Sequence, residues 1–278
     1  GAFPKSRKNW RPTSVAFYTR EVGRSIMTSI LDWIHADSSI TKMYYLTPGS
    51  LKSKLESEKR EEMECDVSDY LKSTGIVMPS KVIVSEDYRT SVKTILQSDT
   101  VGQTPFNTVF IDFDEEVDLS QILCDASVLK KNMVVARNQH GISQFNTIDI
   151  WWSGKNSGSF MLVLSHLIEN SRQWKEDGVK IRVLALAKSK KEAGKLKSSL
   201  ERLIGNSRVL NVETEVLVRG GKSKTDLIAE YSTHTDLVFM EIASAGNKKI
   251  HEKILEYTGE IKLALLVAVN EETDFTIS

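Results

Sequence analysis

The sequence predicts an α/β protein made of two doubly wound parallel-sheet lobes that are related by pseudo-symmetry. Residues 145–187 have the pattern strand, buried helix, strand, which is one crossover unit with parallel strands. The strands are apolar along most of their length, which is typical of sheets covered by helices on both faces. The order of elements also occurs twice, with equivalent strands about 130 residues apart. These observations together indicate a duplicated doubly wound fold.

The unit at 145–187 sets the pattern for the rest of the chain. Thr147–Trp152 is β-branched and aromatic and therefore predicts a strand. Residues 160–168 are almost wholly apolar and predict a buried helix, for which Asn156 or Ser157 is a plausible N-cap. Residues 179–187 then form a second, nearly continuous apolar strand.

In the first lobe the same alternation predicts five strands and four helices. The strands are 14–19, 40–47, 81–85, 107–113 and 132–137. The helices are 21–36, 51–74, 88–97 and 119–130. We expect Ser50 to cap the second of these helices and Leu51 and Leu55 to begin its apolar side, because apolar residues recur there at helical spacing.

The second lobe repeats this order after residue 141. Its strands are Thr147–Trp152, 179–187, 212–219, 236–242 and 262–269. Its helices are 160–168, 190–203, Lys224–Ser232 and 248–257. Each strand has a counterpart of similar composition in the first lobe, so both lobes are expected to share one topology.

We therefore divide the chain into an amino-terminal arm (1–12), a first lobe (13–141) and a second lobe (142–278). Each lobe is expected to have the strand order 3-2-1-4-5. The fifth strands are apolar edge strands, and an uncovered apolar edge invites pairing. The lobes are therefore predicted to meet there, around 133–135 and 265–267.

Composition limits the classes of function. The 278 residues carry 37 basic and 37 acidic side chains, and this zero net charge argues against nucleic-acid binding. No apolar run approaches the roughly 20 residues that span a bilayer. Cys65 and Cys124 are expected to be reduced and buried, which indicates the cytosol. The chain begins with Gly1, so we expect an excised part of a longer protein.

Two glycine patterns bear on nucleotide binding. Residues 220–223 (GGKS) lie between a strand and a helix, where phosphate loops occur. A phosphate loop needs a glycine or an alanine five positions before Gly221, and Val216 stands there, so a plain turn is the better interpretation. No Gly-x-Gly-x-x-Gly follows the first strand of either lobe, which argues against dinucleotides.

The acidic run Asp112, Asp114, Glu115 and Glu116 follows the fourth strand. Carboxylates at that sheet edge suit Mg²⁺ or acid–base chemistry, and a free-standing enzyme using Asp112 and Asp114 is one hypothesis. The favoured interpretation is a solvated loop with acids at a helix N-terminus. No histidine has a partner at metal-ligand spacing on one helix face. We therefore predict no catalytic residue, no cofactor and no metal.

Trp151 and Trp152 are adjacent on a strand, so their side chains face opposite sides of the sheet. One indole is expected to enter the core between sheet and helix. The other must cover the opposite face or meet a partner.

The stretch 149–183 contains, in this order, an aspartate, a tryptophan pair, a turn, a leucine-rich helix, a further tryptophan and a basic strand. This order resembles a cytosolic signature of cation-chloride cotransporters. Residues 9–12 (NWRP) are similar to the sequence that enters the same domain just after the membrane helices. The residues that carry the resemblance are Trp10, Arg11, Pro12, Asp149, Trp151, Trp152, Gly158, Trp174 and Arg182.

The resemblance implies the cytoplasmic regulatory domain of a prokaryotic transporter that moves Na⁺ or K⁺ together with Cl⁻. It implies a homodimer, attachment to a transmembrane domain of the same polypeptide, no enzymatic activity, and lobes similar to the universal stress protein fold. Trp10 to Pro12 would then be a lever next to the membrane. Weak nucleotide binding is the alternative it leaves open: an adenine-nucleotide sensor of the universal stress type.

Overall fold

The computed structural model describes residues 10–18, 25–35, 40–98, 100–101, 104–176, 178–207, 209, 211–242 and 249–275. The strands are β1 (Thr13–Tyr18), β2 (Ile40–Pro48), β3 (Ser80–Ser85), β4 (Thr100–Val101), β5 (Thr104–Pro105), β6 (Thr108–Asp112), β7 (Asn132–Asn138), β8 (Thr147–Trp152), β9 (Lys180–Ala187), β10 (Val212–Val218), β11 (Leu237–Glu241) and β12 (Leu263–Ala268). The helices are α1 (Met27–Ile34), α2 (Lys54–Ser73), α3 (Tyr88–Ser98), α4 (Leu119–Val128), α5 (Lys155–Glu169), α6 (Arg172–Lys175), α7 (Lys190–Gly205), α8 (Lys224–Ser232) and α9 (Ile250–Thr258). The amino-terminal part of the predicted helix 21–36 lies outside the described residues.

Ten of the strands form one sheet, in the order β10-β9-β8-β11-β12-β7-β6-β1-β2-β3. Each half of the sheet is parallel and has the predicted order 3-2-1-4-5. The halves join where β12 pairs antiparallel with β7, with Leu266 opposite Val135 and Val267 opposite Val134. The α/β class, the strand order and the meeting of the fifth strands are therefore confirmed.

The antiparallel joint puts equivalent helices of both halves on the same face of the sheet. One hydrophobic core contains the inner residues of α1, α2, α5 and α7, and the other contains those of α3, α4, α8 and α9. Helix α1 packs against α5, and α4 against α9, across the joint. The two halves therefore share both cores as well as one sheet.

Helix α2 begins later than the sequence predicts. Its N-cap is Ser53, whose side chain accepts from the Glu56 backbone N–H while Glu56 bonds back to Ser53, which is a complete capping box. The predicted cap at Ser50 is therefore wrong. Leu51 and Leu55 are 58% and 59% exposed, so they do not begin an apolar side.

Helix α5 begins earlier than predicted, at Lys155, with Gly154 as an N-cap that makes no side-chain bond. Asn156 and Ser157 lie inside its first turn, so neither is the N-cap. The predicted burial of the cysteines is also wrong: both thiols are free, but Cys65 is exposed and Cys124 half-buried. No helix among the described residues is long and apolar enough to cross a membrane.

Candidate functional site

Trp10 anchors the amino-terminal arm against the second half of the chain. Its indole is only 8% exposed and contacts Phe160 of α5 and Phe275, with ring centroids 5.5 and 5.0 Å away. Phe160 and Phe275 also contact each other at 5.2 Å, and all three pairs are edge-to-face. The arm that precedes β1 therefore packs on the buried helix of the other half.

A hydrogen-bond network fixes the same tryptophan from its polar side. Trp10 Nε1 donates to Glu271 Oε2 at 3.0 Å, and Asn132 Nδ2 donates to the same oxygen at 3.0 Å. The Asn132 side-chain oxygen accepts from the backbone N–H groups of Asn270 and Glu271. Asn132 is fully buried at the start of β7, so the arm, the segment after β12 and the joint between the halves form one unit.

Arg11 and Pro12 lead from this anchor into β1. Pro12 is buried, and the Asn107 side chain clamps the segment by donating to the Arg11 carbonyl at 3.0 Å and accepting from the Thr13 N–H at 3.1 Å. Trp10, Arg11 and Pro12 thus hold the amino-terminal arm on β1.

Asp149 and Arg182 are direct neighbours on β8 and β9. Arg182 Nε and Nη2 donate to the two Asp149 oxygens at 3.0 and 2.8 Å, and Ser232 and Thr235 donate to Asp149 Oδ2 at 2.7 Å each. Arg182 Nη2 also donates to the Tyr231 carbonyl at 2.7 Å. The Asp149 carboxylate is thus completely satisfied although it is 2% exposed.

The pKa of Arg182 also indicates a strong interaction with Asp149. The hydrogen bonds from Arg182 to Asp149 hold the pKa of the guanidinium above its usual range, against the effect of burial. Glu215 adds a weaker contact at 3.8 Å. The pair ties β8 and β9 to α8 and its following turn, which is a structural role.

The tryptophan pair divides between the two faces of the sheet, as predicted. Trp151 is buried, and its Nε1 donates to Ser232 Oγ at 3.0 Å, so it joins the Asp149 network. Trp152 is half-buried on the other face, beside α5. A Cβ on Gly158 would lie 2.4–2.5 Å from the Trp152 ring. Gly158 therefore allows that indole to lie directly on the helix.

Trp174 links α6 to the first half of the chain. It is fully buried, and its ring lies edge-on to Trp33 of α1 at 5.3 Å and to Phe145 at 5.4 Å. Trp33 Nε1 donates to Gln173 Oε1 at 2.7 Å. Among the described residues, Trp174 Nε1 has no hydrogen-bond partner despite its burial.

The nine signature residues therefore lie in separate centres rather than in one cavity. Trp10, Arg11 and Pro12 hold the arm, Asp149, Trp151 and Arg182 form one buried network, and Trp152–Gly158 and Trp174 are packing contacts. No sequence pattern points to Asn132 and Glu271, which complete the arm anchor. Phe275 is an isolated aromatic beyond the last strand, so periodicity does not single it out.

The predicted acidic run lines a pocket of about 560 Å³ at the carboxyl edge of the first half. Asp112 is only 6% exposed and accepts a hydrogen bond from Ser25, so the solvated-loop prediction is wrong for this residue, while Glu115 and Glu116 are exposed. Burial raises the pKa of nearby Tyr88, and the charges of Asp112 and Asp114 raise it further. No group of three or more potential metal ligands occurs among the described residues.

The equivalent edge of the second half holds a smaller pocket of about 270 Å³, lined by Glu241, Lys224 and Lys253 among others. Glu241 accepts from Ser153, and from Ser157 at 3.0 Å. Burial lowers the pKa of Lys224. A carboxylate thus occupies the edge of the sheet in both halves.

Residues 220–223 form a turn between β10 and α8. Gly220 and Gly221 have φ values of +56° and +83°, and Ser223 is the N-cap of α8. Lys222 is exposed and pairs with Glu230 at 2.6 Å. Because the halves are antiparallel, Lys222 and Asp112 lie at opposite edges of the sheet and are not brought together.

Solved structures share this fold over nearly the whole chain. The cytoplasmic domain of a prokaryotic cation chloride cotransporter matches with a TM-score of 0.67 and 16% identity, covering 96% of this chain and 98% of that one. A putative universal stress protein from Pseudomonas aeruginosa matches with a TM-score of 0.53 and 9% identity, covering 93% and 94%. A protein of unknown function from the same species matches with a TM-score of 0.53 and 9% identity, covering 93% of each chain.

No protein-family profile and no curated protein sequence matches the chain. At these identities the structural matches establish the fold. The expected likeness to both the cotransporter domain and the universal stress protein fold is confirmed at that level.

Replacing Gly158 by alanine should destabilise the protein by about 1–3 kcal/mol, because the new methyl group would overlap the Trp152 ring. Gly194→Ala in α7 is the matched control: nothing lies within 4 Å of its Cβ position, and alanine there should stabilise the helix by about 0.5–1 kcal/mol. Urea unfolding of both variants measures the difference. Equal stability of Gly158→Ala and the wild type would disprove the close approach.

Replacing Arg182 by methionine should lower the free energy of unfolding by about 3–5 kcal/mol, because Asp149 would stay buried without its cation. The double variant Asp149→Leu/Arg182→Met should lose less, since it leaves no unpaired charge. Lys222→Met removes an exposed ion pair and should leave the denaturation midpoint unchanged. Chemical denaturation of the three variants tests this, and a smaller loss for Arg182→Met than for the double variant would contradict it.

Proposed function

We propose that this chain is the cytoplasmic regulatory domain of a membrane transporter that carries Na⁺ or K⁺ together with Cl⁻. It works without catalysing a reaction, as a homodimer attached to a transmembrane domain of the same polypeptide. The full-length structural match supports this assignment, since it covers nearly all of both chains. The residue resemblance around 149–183 and 9–12 supports it independently of the fold.

The observation that carries the proposal is the anchoring of Trp10. The resemblance puts the membrane helices immediately before this residue. Trp10 is held by Phe160, Phe275 and Glu271, all of them more than 100 residues away in the sequence. A displacement of the arm is therefore transmitted to α5 and to the segment after β12 and is not absorbed by a loose linker.

The motion expected from this construction is that of a rigid body. Both halves share one continuous sheet and two common cores, so no hinge divides them in the part of the chain that the structure describes. Movement of the domain as a whole would bias the membrane helices connected to Trp10, which is coupling by rigid-body rotation. The regulatory input would then be any event that shifts one domain relative to its partner.

The alternative, an adenine-nucleotide sensor of the universal stress type, has weaker support. A nucleotide in such a fold lies at the carboxyl edge of the strands, at the point where the strand order reverses. Asp112, Asp114 and their acidic neighbours line that edge in the first half, and Glu241 occupies it in the second. The acidic run in the first half would repel a triphosphate, whereas Lys224 and Lys253 lie beside Glu241 in the second half.

In vesicles containing the full-length polypeptide, we expect chloride-dependent uptake of Rb⁺ or Na⁺. Trp10→Ala frees the arm and should therefore change the rate of uptake. We expect a change of at least about fivefold, which is the lower end of the typical coupling between two sites. The amount of transporter in the membrane, measured by immunoblot, must be equal. Trp10→Phe keeps most of the ring packing and should have a smaller effect.

Two results would refute the regulatory proposal. One is cation uptake that does not depend on chloride, or no uptake at all. The other is an unchanged rate in Trp10→Ala when circular dichroism shows a folded domain. Glu271→Met separates the hydrogen bond from the packing, because it removes the acceptor oxygens and keeps a side chain of similar length.

Addition of ATP–Mg²⁺ at millimolar concentration should leave the melting temperature of the purified chain unchanged, since the acidic run at the carboxyl edge of the first half disfavours phosphate. Asp112→Asn, which removes one buried charge, serves as the comparison. A saturable rise in melting temperature in the wild type, confirmed by calorimetric titration, would favour the nucleotide-sensor alternative.

A further inference from the structure

Helices α2 and α7 occupy equivalent positions in the two halves. Each connects the second and third strands of its half, and each covers one end of the ten-stranded sheet on the same face. Their inner residues, Val67 and Leu71 in α2 and Leu200 and Ile204 in α7, belong to the same core. Nine strand spacings of about 4.8 Å separate the sheet ends by roughly 40 Å, so the two helices cannot meet within one molecule.

The outward side of α2 is acidic. The helix has seven acidic and four basic side chains. Glu62, Asp66 and Asp69 follow one another at helical spacing, are exposed, and make no ion pair with a described residue. The exposed Leu55 lies on the same stripe, two turns closer to the start of the helix, with the exposed Lys59 between Leu55 and Glu62. This surface, Leu55 with Glu62, Asp66 and Asp69, is called the acidic stripe below.

The outward side of α7 is basic. It has five basic and two acidic side chains over sixteen residues. Lys191, Lys195 and Arg202 share one exposed stripe, and none of them makes an ion pair with a described residue, whereas Lys197 is paired with Glu201. Lys191, Lys195 and Arg202 are called the basic stripe. The two ends of one face therefore carry opposite charge.

We propose that the acidic stripe of one chain binds the basic stripe of a second copy, which forms the homodimer that the proposed function requires. A twofold axis parallel to the central strands brings each α2 over the partner's α7, because both helices lie on one face. The closed pair then contains the same contact twice. The proposal commits to a second copy because an anionic membrane would attract α7 and repel α2.

The directions of the helices agree with this pairing. The strands of the two halves run in opposite directions, so α2 and α7 also do, and the twofold axis keeps them antiparallel in the dimer. The carboxyl-terminal part of α2, with Glu62 to Asp69, then lies beside the amino-terminal part of α7, with Lys191 and Lys195. Helices of 20 and 16 residues are about 30 and 24 Å long, which is sufficient length for an extended contact at each end.

The test is sedimentation equilibrium of the purified chain over a concentration series at low and high salt. One variant is Glu62→Lys/Asp66→Lys, with both stripes basic, and the other is Lys191→Glu/Lys195→Glu, with both stripes acidic. Each alone should associate at least about tenfold more weakly than the wild type, through lost attraction and new repulsion. An equimolar mixture of the two should recover dimers, since each acidic stripe then faces a basic one.

The control variant is Lys93→Glu/Glu252→Lys, which reverses two exposed charges on α3 and α9, on the opposite face of the sheet. It should dimerise like the wild type. A dimer that persists in both stripe variants would overturn this interface and leave the regulatory function standing. A wild-type chain that stays monomeric at every concentration would overturn the interface and the dimer together, whereas the flux experiment decides the regulatory function separately.

Discussion

The antiparallel pairing of β7 with β12 determines the rest of this structure. Each half ends in an apolar strand, with every residue from Leu263 to Val267 at most 1% exposed. Neither strand could remain an uncovered edge in water. Their pairing makes one sheet of two, places equivalent helices on the same face and turns the carboxyl edges of the halves in opposite directions.

The same pairing creates the contacts on which the proposed function depends. The amino edge of the first half and the carboxyl edge of the second half lie on one side of the molecule, so Trp10 reaches Glu271 and Phe275. On the other side, Arg137 at the end of β7 bonds Thr258 at the end of α9. These contacts join the two halves on both sides of the β7–β12 pairing.

Sequence patterns predicted the strands, their order and the joint because those depend on runs of apolar residues, which report burial directly. Sequence patterns did not predict the helix caps, the burial of Asp112 or the hydrogen bonds that anchor the arm. Ser50 and Ser53 are equally good caps by type, and only the Glu56 side chain, bonded back to Ser53, decides between them. The burial of Asp112 depends on Ser25, and the anchor depends on Asn132 and Glu271, which are 139 residues apart. Polar partners at such separations leave no periodic signal in the chain.

The distance along the chain between Trp10 and Glu271 has a consequence for biosynthesis. These residues are 261 positions apart, and the arm's hydrogen bond cannot form until the last strand and its following segment have left the ribosome. The first parallel strands can pair earlier, but this hydrogen bond of the arm has to wait for the segment after β12. In the proposed transporter, a product truncated before Glu271 would therefore lack this anchor of the arm and keep only the clamp by Asn107.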